Sequence, residues 1–350
     1  MFKNTLKRLG AIVLALAMAM SVMMVSAFAT GDAYDAITSM SFTKKVTTDG
    51  NTYAPATQFT FSVEAATAAD GETYQNVPVY SGVTGGVTIT NPDVFTPGAG
   101  ATVAEAYTKD GTFNFITTNT FTKPGIYKYT VTEDNGNYDG ITYDRTARTL
   151  YVYVRNASAG GYEVYGAVLV KAGTDSQGNP TTTKNDPFIN DYDTHDVTIT
   201  KNITGLQADK NREFKFTVQV TGQDNEIYKM VVTKDGQETE QKLVSKAAAV
   251  EVSLGDGDSI HIYGLSNTDT YTVTETEANT DGYTTKIDGV ETSTGVKSGS
   301  VTADNTSVVY ENNREASTPT GVIMNIAPYV LMVALAGGIA FFFLRRRHAE

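Results

Sequence analysis

Tyr129-Thr130-Val131-Thr132-Glu133 and Tyr271-Thr272-Val273-Thr274-Glu275 are the same five residues, met twice in one chain. Aromatic and β-branched residues in alternation read as a strand, whose successive side chains point to opposite faces. Tyrosine, valine and glutamate then share one face, and the threonines share the other. An inward apolar row that ends in a carboxyl group is unusual, because burying an unpaired charge is costly.

The surroundings of the pentapeptide repeat as well. Met40-Ser41-Phe42-Thr43-Lys44 matches Val197-Thr198-Ile199-Thr200-Lys201, and Phe59/Phe61 matches Phe214/Phe216. Further on, Phe188-Ile189-Asn190 matches Tyr310-Glu311-Asn312. A repeat of this length is a whole domain used twice. Turn clusters such as Asp134-Asn135-Gly136 and Asp281-Gly282 separate the alternating runs, which predicts an all-β chain of two tandem β-sandwich domains, 30–193 and 194–315. The join is expected between Asn190 and Val197, where Asp191 to Asp196 breaks the alternation; so short a linker predicts end-to-end domains. The first domain is longer through insertions at 65–101 and 156–186, read as loops plus extra strands.

Strand parity aims six polar side chains at the two cores. Lys44 shares a face with Met40 and Phe42, and Lys201 with Val197 and Ile199; Asn190 shares one with Phe188, and Asn312 with Tyr310. Left unpaired, each would cost several kcal/mol. A reaction removes that cost. Desolvation lowers an amine pKa and raises a carboxyl pKa, so a neutral lysine can attack the side-chain carbonyl carbon of asparagine while glutamate relays protons and ammonia leaves. The candidate sets are Lys44, Glu133 and Asn190, and Lys201, Glu275 and Asn312. A plainer reading, lysine and glutamate capping strand ends with asparagine in a turn, would serve for one copy. Two copies in the same order and parity favour the cross-link.

Both ends carry targeting patterns. Lys3, Lys7 and Arg8 precede an apolar run from Leu9 to Val25, and Ala27-Phe28-Ala29 supplies a small-x-small cleavage site, so 1–29 is expected to be a signal peptide. Pro319-Thr320-Gly321 precedes an apolar stretch from Val322 to Leu344 and then Arg345, Arg346 and Arg347. Those 23 residues would span about 35 Å as a transmembrane helix, with the arginines on the cytoplasmic side. A plain anchor explains the apolar stretch and the arginines but not the Pro-Thr-Gly at its mouth. The segment 316–350 is therefore read as a sorting signal.

Composition excludes several classes. Without the two ends the chain has 21 basic and 38 acidic residues, a net charge of −17, which argues against nucleic acid and anionic membrane as partners. With no cysteine, a secreted chain must rely on core burial, a metal or another covalent staple. His195, His261 and His348 are too scattered for a metal site or a catalytic triad. Gly255-Asp256-Gly257-Asp258 lacks the ligand spacing and closing glutamate of a calcium loop and reads as a turn. Asn156-Ala157-Ser158 matches a glycosylation acceptor by chance, and the 20 tyrosines suit strand faces and adhesive surface. No cofactor is implied, and a surface hydrolase would lack a nucleophile and base pair.

Ser41-Phe42-Thr43-Lys44, the segment Phe121 to Tyr127 leading into the first pentapeptide, and Lys201-Asn202-Ile203-Thr204-Gly205 together resemble the Gram-positive, streptococcal-type major pilins with their isopeptide-linkage domains. The resemblance covers nearly all of residues 36–321. It implies Cna B-type, immunoglobulin-like sandwiches stacked head to tail, with Lys44 bonded to Asn190 under catalysis by Glu133, and Lys201 to Asn312 under catalysis by Glu275. Pro319-Thr320-Gly321 resembles the sorting signals of Gram-positive surface proteins, which a sortase cuts between threonine and glycine. Ser317-Thr318-Pro319-Thr320-Gly321 departs from the LPxTG form, since proline directly precedes threonine and no leucine leads. The departure resembles a variant of some pilus subunits and implies a dedicated pilin sortase. The implied product is the backbone of a cell-wall-anchored pilus made from a membrane-anchored precursor, Thr320 being joined to a lysine of the next subunit. Lys184, six residues before Asn190, is the expected acceptor, with Lys171 as fallback. Identical subunits, peptidoglycan, minor pilins and host surface ligands are the implied partners. A monomeric wall-anchored adhesin of the same fold is the competing expectation.

Overall fold

The structure, a computed structural model, describes residues 35–97, 100–117, 120–316 and 320–347. The expected signal peptide and Pro319 lie outside them. Alternating runs become strands throughout. The first half contains β1 (Ser39–Thr47), β2 (Phe61–Ala65), β3 (Thr73–Tyr74), β4 (Val77–Ser81), β5 (Val87–Thr90), β6 (Ala106–Phe115), β7 (Gly125–Glu133), β8 (Ile141–Thr142), β9 (Arg148–Asn156), β10 (Tyr162–Thr174), β11 (Pro180–Lys184) and β12 (Phe188–Tyr192). The second contains β13 (His195–Thr204), β14 (Phe214–Thr221), β15 (Ile227–Lys234), β16 (Gln237–Val244), β17 (Val250–Leu254), β18 (Ser259–Leu265), β19 (Thr270–Glu275), β20 (Thr284–Ile287), β21 (Val290–Glu291), β22 (Val296–Ser300) and β23 (Thr306–Asn313).

In each half two sheets face one another across an apolar core, the arrangement of a β-sandwich. The first sandwich pairs a five-stranded sheet, β5-β6-β1-β12-β8, with a sheet ordered β11-β10-β9-β7-β4-β3 to which β2 adds against β7. The second pairs β16-β15-β18-β13-β23-β20-β21 with β17-β14-β19-β22. Phe42, Phe61, Phe113, Val131 and Phe188 fill the first core; Ile199, Phe216, Val218, Val273 and Tyr310 fill the second. First and last strands of each sandwich are neighbours and run parallel, β1 beside β12 and β13 beside β23. Each pentapeptide ends a strand of the opposite sheet, β7 or β19.

The linker differs from expectation. Strand β12 continues to Tyr192 and β13 begins at His195, so only Asp193 and Thr194 lie between. Asp191 to Asp196 looks like a break because it is polar, yet Tyr192 keeps the inward parity of Phe188 and Asn190 and is buried. The halves then meet through a polar joint. Glu226, buried in the second sandwich, accepts hydrogen bonds from Tyr138 (2.8 Å) and Tyr192 (3.2 Å) of the first and from its neighbour Tyr228 (2.6 Å). Gly222 must be glycine here, since a Cβ would collide with the Tyr228 hydroxyl and the carboxylates of Glu226 and Asp269. Across the same joint, Thr52 and Thr194 share a 2.7 Å hydrogen bond and Lys242 donates to the Ala101 carbonyl at 2.8 Å.

Among the described residues the only helix is α1 (Thr320–Arg347). Its described side chains, 328–343, are exposed. No helix of the described residues is long and apolar enough to cross a membrane.

Asp269 gives the joint a pH dependence. Burial, and then the charge of Glu226, push its carboxyl up from 3.8 to about 6. A carboxyl raised on folding favours the folded state fully below its unfolded pKa and loses that contribution as pH rises through the folded one. Calorimetry of the wild type between pH 4 and 7.5 should therefore show a Tm rise toward acid that Asp269→Asn flattens. Identical pH profiles for the two proteins would refute this assignment.

Candidate functional site

Each sandwich brings its three polar residues together by register. On β1, Phe42, Lys44 and Val46 point inward; Lys44 pairs with Phe188 and Val46 with Asn190. Asn190 is thus the same-face diagonal neighbour of Lys44 on the adjacent strand, within reach of a long side chain. Glu133 comes from the facing sheet and fits between them. The Lys44 ammonium meets Glu133 Oε2 at 2.9 Å, and Asn190 Nδ2 donates to Glu133 Oε1 at 2.6 Å. Residues Lys44 and Asn190 are 0% exposed, so water competes for neither.

The second sandwich repeats the set. Lys201 pairs with Tyr310 and Ile203 with Asn312, while Glu275 ends β19 opposite. Lys201 Nζ lies 3.1 Å from Glu275 Oε2, and Asn312 Nδ2 donates to Glu275 Oε1 at 2.5 Å. In both sites one carboxyl group bridges the amine and the amide nitrogen. Aromatic faces close the sites: the Lys44 ammonium lies 4.7 Å from the Phe59 ring centre and that of Lys201 4.3 Å from Phe214.

Burial sets the protonation. It brings Lys44 down from 10.5 to about 8 against the opposing charge of Glu133, with Arg148 lowering it further. Lys201 also falls to about 8, for the same reason of burial opposed by Glu275. Burial raises Glu133 above the usual carboxylate range despite Lys44. In the first sandwich amine and carboxyl are thus both drawn toward their neutral forms, the state in which an amine is a nucleophile and a carboxyl can deliver a proton.

Two participants escaped the sequence reading. Arg148 opens β9 with a fully buried side chain, its guanidinium 3.4 Å from the centre of the Phe188 ring; NH2 donates to Asp144 Oδ2 (2.9 Å) and to the Pro187 carbonyl (2.7 Å). The Asp144 backbone N–H donates to Asn190 Oδ1 at 2.8 Å. Arg148 was open to detection, because it shares inward parity with Leu150, Val152 and Val154. Asp144 was not, since it acts through its main chain.

The two acceptor candidates differ in setting. Lys184 ends β11, the exposed edge strand of its sheet, four residues before β12 begins. Lys171 is half-buried and lies 3.5 Å from Asp186 and 3.9 Å from Asp144. Thr320 and Gly321 begin α1. Among the described residues no group of three or more acidic or histidine side chains is placed to hold a metal ion. Asp256 and Asp258 instead accept backbone N–H groups from Ile203 (2.6 Å) and Gly255 (2.7 Å), as turn residues do.

A curated pilin of Streptococcus pyogenes serotype M1 is 30% identical over 319 residues, covering 86% of this chain and 88% of its own. The chain belongs to the pilin family. Residues 40–193 of this pilin match the family described as "Spy0128-like isopeptide containing domain", and residues 195–314 the one described as "Domain of unknown function (DUF7601)". Solved structures of S. pyogenes major pilins share its fold. One has TM-score 0.55 at 23% identity, covering 80% of this chain and 99% of that one; the T-13 major pilin has TM-score 0.54 at 26% identity, covering 80% and 98%. The S. pyogenes pilus tip adhesin Cpa is 31% identical over 130 residues, which span 37% of this chain and 18% of that protein. The chain is a pilus backbone subunit of the streptococcal type, a structural protein of the cell surface.

Proposed function

We propose that this backbone subunit is stapled by two intramolecular isopeptide bonds, Lys44 to Asn190 and Lys201 to Asn312, with Glu133 and Glu275 as proton-relaying catalysts, and that sortase polymerises it from Thr320 onto Lys184. One observation carries the first part: twice, a carboxyl group buried in an apolar core bridges a lysine amine and an asparagine amide. The exposure of Lys184 on an edge strand supports the second, as does its separation from the buried site; Lys171, engaged by two aspartates, is the fallback. The expected precursor is held in the membrane through the segment after Gly321 and transferred by a pilin-specific sortase, the finished fibre being joined to peptidoglycan and carrying minor pilins. The domains implied by this reading are 30–193 and 194–315, the second extended by the sorting signal 316–350. Cleavage is placed between Thr320 and Gly321 of the Pro319-Thr320-Gly321 signal. A monomeric adhesin of the same fold would carry the staples without the polymer.

Intact-mass spectrometry of the secreted ectodomain should give its sequence mass less two ammonia molecules. Glu133→Ala and Glu275→Ala should each restore one of them, and a full sequence mass in the wild type would sink the cross-link.

Immunoblots of cell-wall extract should show a ladder of covalent multimers. Lys184→Ala should collapse it to monomer with both internal bonds intact. A surviving ladder moves the role to Lys171, and a single band in the wild type favours the adhesin.

The reaction should also have a pH window. The neutral amine with the neutral carboxyl carries the same number of protons as the ion pair, so the rate of ammonia loss should be flat between the raised Glu133 pKa and the lowered Lys44 pKa. Above about 8, the midpoint of the Lys44 titration, a growing share of pairs lacks the proton that the carboxyl must give the departing amide, and the rate should fall. A rate still climbing at pH 10 would exclude the relay.

A further inference from the structure

The two sites differ at the atom where charge must develop. Asn190 Oδ1 accepts the Asp144 backbone N–H at 2.8 Å, whereas Asn312 Oδ1 is buried with no hydrogen-bond partner among the described residues. Sheet register explains the difference. Strand β8 is two residues long and pairs only Thr142 with Asp191 and Ile141 with Tyr192. Its ladder ends one residue short of Asn190, so the N–H of Asp144 is free to turn toward the side chain. In the second sandwich β20 stays in register through Asn312, pairing Thr285 with it and Thr284 with Asn313. No main-chain N–H of β20 reaches the Asn312 amide oxygen.

Asp144 is also held in place. Its Oδ2 takes the Arg148 guanidinium at 2.9 Å and its Oδ1 the Thr146 N–H at 3.0 Å. The same guanidinium binds the Pro187 carbonyl and covers the Phe188 ring, fixing the segment that carries Asn190. Arg148 Nε and NH1 are buried without partners among the described residues, a cost that a purely space-filling residue would not incur.

We propose that the Asp144 backbone N–H is the oxyanion donor of the first-domain cross-linking reaction, with Arg148 as its positioning residue, and that the two bonds therefore form at unequal rates, the first domain leading. The inference rests on the cross-linking reading above. The Lys44 Nζ lone pair forms the bond to Asn190 Cγ, and the carbonyl π pair moves onto Oδ1, where the N–H already waits. Glu133 Oε2 accepts the proton from Nζ while the proton on Oε1 passes to Nδ2. The π pair returns, the Cγ–Nδ2 bond breaks, and ammonia departs with the carboxyl group unchanged overall. A donor fixed at the developing charge before reaction has no reorganisation to undergo, and removing one such donor typically slows acyl transfer by about 10² to 10³-fold.

The test is cell-free translation of the full chain, sampled over time, with proteolysis and mass spectrometry of the two cross-linked peptide pairs. The second-domain pair serves as the internal clock. In the wild type the Lys44–Asn190 pair should accumulate ahead of the Lys201–Asn312 pair. Replacing the amide at residue 144 by an ester, which deletes the N–H and keeps the side chain, should slow the first pair by about 10² to 10³-fold and leave the second unchanged. Arg148→Met should slow the first pair throughout the flat part of its pH profile, while raising the alkaline limit slightly because the Arg148 charge no longer lowers Lys44; Asp144→Asn, which keeps the N–H and an acceptor for Arg148, should keep the wild-type rate. An unchanged first-domain rate in the ester variant overturns the donor while leaving the cross-link standing. An Arg148→Met variant whose first-domain rate equals that of the wild type in the flat part of the profile, with only the alkaline limit displaced, overturns the positioning role, since Arg148 would then act on the Lys44 charge alone. Absence of both pairs from the wild type overturns the cross-linking reading and this inference together.

Discussion

A lysine, a glutamate and an asparagine buried without water can be tolerated only in one another's company, and the architecture of each sandwich follows from that constraint. Three elements must converge: the first strand, the last strand beside it, and a strand of the facing sheet. The parallel pairing of β1 with β12 and of β13 with β23 places lysine and asparagine as diagonal neighbours on one face. The opposite sheet must then deliver its glutamate at that depth, which is where β7 and β19 end. Bonds closing loops of 146 and 111 residues (Lys44 to Asn190, Lys201 to Asn312) would each contribute about 5 kcal/mol in the chain-entropy account. That is comparable to the entire stability of a small domain, about 5–15 kcal/mol. A chain with no cysteine would gain by this route what secreted domains commonly obtain from disulfides.

The parts of this site that were legible in the sequence are those carried by local parity. Phe42-Thr43-Lys44, Val131-Thr132-Glu133 and Phe188-Ile189-Asn190 each place a polar side chain in an inward row, and alternation survives whatever the tertiary structure does with the strand. The duplication then told which three belong together. Arg148 obeys the same rule, in line with Leu150 and Val152, and was passed over because it has no counterpart at that place in the second copy. Asp144 obeys no such rule. Its contribution depends on where the short strand β8 stops, and a main-chain N–H has no residue-type signature.

The joint between the sandwiches was illegible for a different reason. Tyr138, Tyr192 and Glu226 are far apart in sequence and sit in different domains, and each alone looks like an ordinary strand or loop residue. Only the arrangement of one sandwich on the other makes Glu226 the common acceptor of tyrosines from both sides. The polarity of 191–196 concealed the same fact, since Tyr192 continues its strand inward while Asp196 turns to His261 at 2.7 Å.

In a fibre joined through Thr320 and Lys184, the two staples would stand in different mechanical positions. Tension from Thr320 enters β23 at its C-terminal end, just beyond Asn312. A bond from Asn312 to Lys201 passes the load to β13 before the rest of β23 can be peeled. From Lys201 the load runs back along β13 to His195, across Asp193 and Thr194 into β12, and leaves at Lys184 after passing Phe188. Strand β1 is never on that route, so the Lys44–Asn190 bond is a side branch. Being parallel, β13 and β23 would without their staple have to resist the pull in shear through backbone hydrogen bonds, each worth about 1 kcal/mol net. On that proposed route the second-domain bond would lie in series with the fibre and determine its extensibility, while the first would lie beside it and determine how well the domain withstands heat and protease.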